Sequence, residues 1–184
     1  MPPQQSNGLL DFVDNGLDFG AHDGTRKRNR GGNLMSAQAE NKALRERLIG
    51  TWRLIAAERE EVPSGRKTAF LGENPTGFLH YMPEGRMLAL ITRAGRKKPA
   101  ALVANATEAE ALIRSMISYG ARYECIADEV IHHCDISWNE SFTGTIQKRS
   151  VTFEGERLIL SPPPSPDPTD GTVSVRRLIW EKLK

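Results

Sequence analysis

From Leu48 onward the chain keeps returning to one pattern, short segments whose apolar residues recur at every second position. "GTWRLIAAERE", "GFLHYM", "RMLALITR", "ARYECIA", "VIHHCDISW", "TIQKRSVTF", "RLILS" and "TVSVRRLIWEK" alternate or run apolar, and they are rich in Val, Ile, Leu, Thr and aromatic residues. Such segments read as strands. Between them lie "PSGR", "GENPTG", "PEGR", "IADE", "NESF" and "EGE", where Gly, Pro, Asn and Asp supply turns. The strands are short and many, and they recur at regular spacing. The pattern therefore predicts a mainly β fold, an antiparallel up-and-down β-barrel.

One helix interrupts the strands, expected over residues 107–119. Thr107 and Glu110 have the spacing of a capping box, and Leu112, Ile113, Met116 and Ile117 follow at helical spacing as a core-packing stripe. Gly120 is placed to end it. Residues 1–46 read differently. They are rich in Gly, Asn, Gln and Arg, without apolar periodicity, and are expected to form a disordered tail ending in a short helix, "AENKALRERLI". The barrel domain is then 47–184. The basic run Arg26–Arg30 reads as a solvated stretch of that tail.

Composition excludes several classes. The 184 residues are 39% apolar and 26% charged with a net charge of +2, ordinary for a globular protein and too weakly basic to argue for nucleic acid. No apolar run approaches the ~18 residues of a membrane helix, so no membrane partner is expected. The N-terminus lacks the features of a secretory signal. Two cysteines, Cys125 and Cys134, are too few for a disulfide scaffold, which points to the cytoplasm. No G-x-S-x-G, phosphate-cradling glycine loop or metal-ligand spacing is present, so no cofactor and no metal are expected.

Gly50–Thr51–Trp52 at the head of the first strand matches the G-x-W signature of lipocalins. The longer series "LIGTWRL", "NPTGFLHYMPEGRM", "SYGARYE", "VIHHCDIS", "GTIQKR" and "RLIWEK" resembles, in order and spacing over residues 48–182, the lipocalin-like domain found in many bacterial and fungal proteins. The resemblance implies a small barrel with an interior cavity. It also implies that Trp52 closes one end with Arg177 stacked over its face. The Pro-rich "SPPPSPDPTDG" is expected to be an exposed loop at the barrel mouth.

"VIHHCDIS" brings two histidines, a cysteine and an aspartate together. On a strand they divide between faces: His132 and Cys134 with Val130, Ile136 and Trp138 on one, His133 and Asp135 on the other. Opposite faces cannot converge on a tetrahedral metal. The first face is the more apolar and should line the interior. A two-residue turn at Ala127–Asp128 pairs residue 125 with 130 and 123 with 132, making Tyr123 and His132 an inward cross-strand pair. Cys125 then lies roughly 13 Å from the level of Cys134, beyond disulfide reach.

Phe78, His80 and Met82 share one face of their strand, as do Thr145, Gln147, Arg149, Val151 and Phe153 of theirs. The expected ligand-binding set is His80, Phe78, Gln147, Arg149, Trp138 and Cys134, with His132 and Tyr123 as candidate catalytic groups. Such an interior suits a small, largely apolar or amphiphilic metabolite. Two functions fit. One is binding of that metabolite; the other is cofactor-free isomerisation, cyclisation or dehydration of a polyketide- or terpenoid-type substrate, with His132 moving a proton and Tyr123 orienting it. A homodimer is left open.

Overall fold

The computed structural model describes residues 30–166 and 171–184. The chain opens with helix α1 (Arg30–Leu48) and continues through β1 (Gly50–Glu61), β2 (Lys67–Ala69), β3 (Thr76–Tyr81), β4 (Arg86–Thr92), α2 (Ala106–Arg114), β5 (Met116–Ile126) and β6 (Glu129–Ser137). A 3-10 turn at Glu140–Phe142 leads into β7 (Ile146–Glu154), β8 (Arg157–Ser161), β9 (Ser165–Pro166) and β10 (Val173–Lys182). The strands form one antiparallel sheet in the order β2-β1-β3-β4-β5-β6-β7-β8-β10-β9, and β1 also pairs with β10. That last pairing closes β1, β3–β8 and β10 into an eight-stranded barrel. β2 and β9 are short flaps hydrogen-bonded to β1 and β10.

Period two decides which side chains enter the barrel. Leu79 and Tyr81 of β3, Met87, Ala89 and Ile91 of β4, and Leu178 and Trp180 of β10 are buried at alternate positions. Burying that much apolar surface at ~25 cal/mol per Å² is the main favourable term of the fold. Two irregularities adjust the alternation. β1 shifts register against β10 between Leu54 and Ala56, and β6 gains a residue against β5 at Gly120–Ala121. Beyond the second bulge the faces swap. Cys134 stays inside, and Ile136, expected inside, is 64% exposed.

α1 seals one end. Leu48 is fully buried, and the carbonyl of Leu48 accepts from Trp52 Nε1 at 2.8 Å. The helix also ties three separate connections. Arg45 donates to Pro83 O in the β3–β4 turn at 2.6 Å, Asn41 Oδ1 accepts from Ala127 N in the β5–β6 turn at 2.8 Å, and Lys182 at the end of β10 donates to Arg47 O at 3.1 Å. Gly50 shows why the entry to β1 needs glycine: φ is +127°, and a Cβ there would meet Lys182 Cε at 2.8 Å.

Several expectations need correction. The cation over the Trp52 ring is Lys182, 5.1 Å from its centroid, while Arg177 faces outward and pairs with Glu154 at 2.6 Å. Both are on β10; Trp52 sits opposite Lys182 in the register, five residues beyond Arg177. The inserted helix is Ala106–Arg114 rather than 107–119. Asn105 caps it with Glu108 in a capping box, two residues upstream of the expected pair. Ile117 leaves the helical stripe to pair with Ile91 on β4, and none of α2 is buried. Tertiary pairing overrides the helical spacing. Gly120 lies in β5, paired with Leu88 and Ile136, rather than ending the helix; glycine fits there because a Cβ would meet Ile136 Cγ2 at 2.9 Å and Leu88 Cδ2 at 3.1 Å. The N-terminal helix is longer than "AENKALRERLI", reaching back to Arg30. Residues 26–29 of the basic run lie outside the described residues.

The seal gives a direct test. Leu48→Ala should cost about 2–5 kcal/mol of stability, the usual range for emptying a fully buried leucine site. Urea unfolding measures it, and a loss below about 1 kcal/mol would show that the end of α1 is not part of the core.

Candidate functional site

The β5–β6 hairpin turns at Ala127, whose φ of 53° lies in the left-handed region. Its register is the expected one: Cys125 opposite Val130 and Tyr123 opposite His132. Cys125 and Cys134 are buried free thiols. Burial pushes both up to about 11, so they stay protonated and unreactive near neutrality.

His132 is 1% exposed and faces the interior as expected, but its partners differ. Its Nε2 lies 2.8 Å from Tyr81 Oη and its Nδ1 lies 3.0 Å from Tyr119 Oη. Tyr123 instead donates its hydroxyl to Met82 O at 3.0 Å, toward the α1 end, and packs edge-on against the Tyr81 ring at 4.9 Å. Between Tyr119 and Tyr123 on the same face stands Ala121, whose single methyl leaves room for the Tyr119 ring to lean toward His132.

The chain of polar groups continues past Tyr119. Arg149, 3% exposed, shares a hydrogen bond with Tyr119. It also donates to Gln147 Oε1 at 3.2 Å and to Lys148 O at 2.6 Å. Gln147 in turn donates to Thr145 Oγ1 at 2.9 Å. Tyr81, His132, Tyr119, Arg149 and Gln147 thus form one connected buried run, which ends at the half-buried Thr145. Buried polar groups are tolerated when they satisfy one another in this way.

Burial sets the protonation of the run. It holds His132 well below its ordinary 6.5, with the Arg149 charge acting in the same direction. It lifts Tyr81 well above 10 and Tyr119 to about 12. Desolvation lowers Arg149 as well, opposed by Tyr119, Tyr81 and Cys134, but a guanidinium remains a cation. Neutral His132 therefore accepts at one ring nitrogen and donates from the other.

Other expected site residues separate. Phe78 is 44% exposed and His80 faces outward, its Nδ1 2.7 Å from Thr51 Oγ1. β3 carries aromatic residues on both faces, and the inward set is Gly77, Leu79 and Tyr81. Trp138 lies past the end of β6. Its Nε1 donates to Ile113 O at 3.2 Å and its ring packs edge-on against Phe142 at 5.3 Å, so it joins α2 to the barrel rim rather than lining the interior. His133 and Asp135 face outward and bind Glu124 and Arg86 respectively. Tyr81 and Tyr119 were missed. For Tyr119 a signal existed, since it lies four positions from Tyr123 on the face taken as inward.

Two further inward groups stand on β10. Trp180 Nε1 and Ser174 Oγ are buried at 1% residue exposure and have no hydrogen-bond partner among the described residues. Arg176, 2% exposed, lies over the Phe70 ring at 5.9 Å to the centroid. Among the described residues no three His, Cys, Asp or Glu side chains converge as a metal site. No helix among them is long and apolar enough to cross a membrane.

A closed eight-stranded antiparallel barrel, sealed at one end by a helix and carrying a polar run inside, places the molecule among the small closed β-barrels. The model of the lipocalin-like domain matches residues 49–183, and the chain belongs to that family. Among solved structures, a lipocalin-like protein from Bacteroides uniformis is 12% identical, with 74% of this chain and 99% of that chain covered at a TM-score of 0.42. An uncharacterized protein from Bacteroides eggerthii is 15% identical with 74% and 99% covered at 0.38, and a redesigned β-barrel is 12% identical with 76% and 95% covered at 0.36. No protein of curated function matches the chain.

His132 gives the pH test. The unfolded chain takes up a proton below about 6.5 while the folded imidazole stays neutral. The contribution of His132 to stability is therefore complete above 6.5 and is lost as pH falls below it, at up to about 1.4 kcal/mol per pH unit. Urea unfolding between pH 7 and 5 should show that slope, and His132→Gln should flatten it. An unchanged slope in the variant would mean that another group is responsible.

Proposed function

We propose that the barrel binds a small, largely apolar or amphiphilic metabolite whose oxygenated end accepts hydrogen bonds inside. The observation that carries this reading is Trp180 Nε1, a buried inward donor on β10 that no described residue satisfies. A buried unpaired donor costs about 1–3 kcal/mol, and an acceptor oxygen on a bound molecule would relieve that cost. Apolar interior neighbours such as Leu178, Leu158 and Val151 would meet the hydrocarbon body at ~25 cal/mol per Å². Arg149 and Gln147 add polarity further along the wall.

A second reading is cofactor-free proton transfer on a polyketide- or terpenoid-type substrate, and it draws on His132. Both ring nitrogens are already engaged by tyrosine hydroxyls, so a substrate proton could reach His132 only by displacing one of them. That favours retention over turnover.

Titration of the full chain with cis-parinaric acid, a fluorescent apolar carboxylate, should show saturable uptake of one equivalent. Trp180→Phe should weaken it about two- to tenfold, the worth of one net hydrogen bond, with some loss of stability in the ligand-free protein because the smaller ring leaves a void at a buried site. Absence of saturable uptake, together with no co-purifying small molecule by native mass spectrometry, would defeat the binding reading. His132→Ala separates the two readings, because a carrier would only lose affinity whereas an enzyme would lose turnover.

A further inference from the structure

The connection from β4 to β5 runs at the barrel end opposite α1, and it presents two apolar side chains outward. Leu102 is fully exposed and Val103 is 83% exposed. Exposed apolar side chains are common singly, but here they are adjacent and held in place. The Glu108 carboxylate accepts from Ala100 N at 3.0 Å through one oxygen and from Asn105 N at 3.0 Å through the other. One side chain thus pins both ends of the Ala100–Asn105 loop and leaves Leu102 and Val103 at its tip. These two hydrogen bonds also hold the Glu108 carboxyl below its ordinary value, so the clamp stays ionised.

Basic residues stand behind the tip. Arg93, Arg96, Lys97 and Lys98 line a groove of about 420 Å³ against α2. Arg96 is fixed by Ser115 Oγ at 3.1 Å and Leu112 O at 3.4 Å. The two carboxylates on this helix are both engaged, Glu108 by the loop and Glu110 by Arg114 at 2.7 Å. Ile113, 54% exposed, adds apolar surface on the helix. An apolar tip ahead of a cationic shelf has the layout of a surface that meets anionic lipid, with the side chains entering the acyl boundary and the cations at the phosphates.

We propose that the 93–105 loop docks this barrel end on an anionic phospholipid bilayer, with Leu102 and Val103 inserted and Arg93, Lys97 and Lys98 at the headgroup phosphates. The absence of a membrane partner was expected because no segment could span a bilayer, and a peripheral contact of this kind needs none. The inference does not depend on what the barrel holds, since vesicle binding and ligand uptake are read by separate assays.

The test is co-sedimentation of the full chain with vesicles of phosphatidylcholine alone and of phosphatidylcholine mixed with phosphatidylglycerol. Retention on the mixed vesicles should exceed that on the neutral ones by about tenfold and fall with added salt. Leu102→Asp combined with Val103→Asp should abolish retention with no change in melting temperature, because both side chains are in solvent. A Leu102→Trp variant should show a blue-shifted emission component on the mixed vesicles. No retention on anionic vesicles would overturn the proposal. Undiminished retention of the double aspartate variant would overturn it too, as attraction through the basic N-terminal run alone would give that result. So would an emission spectrum of the Leu102→Trp variant that does not move.

Discussion

The pairing of β1 with β10 is the constraint on which everything else rests. Without it the eight strands are a curled sheet with two unsatisfied edges, and an inward side chain is simply one on a concave face. With it, every alternate residue is committed to a closed interior and the polar ones must find partners there. The register from Trp52 opposite Lys182 to Glu61 opposite Ser174 spans nearly the whole of β1. It also brings Lys182 over Trp52 and onto the carbonyl of Arg47, so the closing seam and the helical seal share one residue.

Closure explains the electrostatics of the interior. A histidine between two tyrosine hydroxyls in water would titrate normally; removed from water it is held neutral, and the tyrosines are held protonated for the same reason. Arg149 is the one charge in that run, and it is spread over Tyr119, Gln147 and a backbone carbonyl. A network so arranged offers hydrogen bonds of fixed direction and little proton mobility. Those are the properties of a recognition surface more than of an acid–base centre.

The alternation made the barrel legible, and a single turn made part of the interior legible. Once Ala127 and Asp128 were taken as the turn, the opposition of Tyr123 and His132 followed from counting, and so did the separation of the two cysteines. What stayed hidden has physical causes. β3 is aromatic on both faces, so composition could not say whether Phe78 and His80 or Tyr81 pointed inward. At the bulge of Gly120–Ala121, Leu88 and Ile136 crowd the glycine from two neighbouring strands, a contact that no local window contains. Arg177 and Lys182 are both cations on the last strand, and only the register against β1 decides which one reaches Trp52. Of the partners of His132, Tyr81 reaches it from β3 across the interior, and Tyr119 reaches it diagonally from the neighbouring β5 rather than from the position directly opposite.

The two ends of the barrel are built on opposite terms. At the α1 end, Leu48 and Trp52 are buried and each loop is tied down, as a permanent seal requires. At the other end Ser174 and Arg176 of β10 lie buried inside while the 93–105 loop holds Leu102 and Val103 outside, an arrangement that costs solubility and returns nothing to the core. A protein folded for stability alone would reverse both choices, placing leucine inside and serine out. If the barrel holds an apolar molecule and docks as proposed, this is the end through which that molecule would pass between a bilayer and the interior. Passage there would spare such a molecule the free energy of crossing water, which for a hydrocarbon chain is about 0.8 kcal/mol for each methylene.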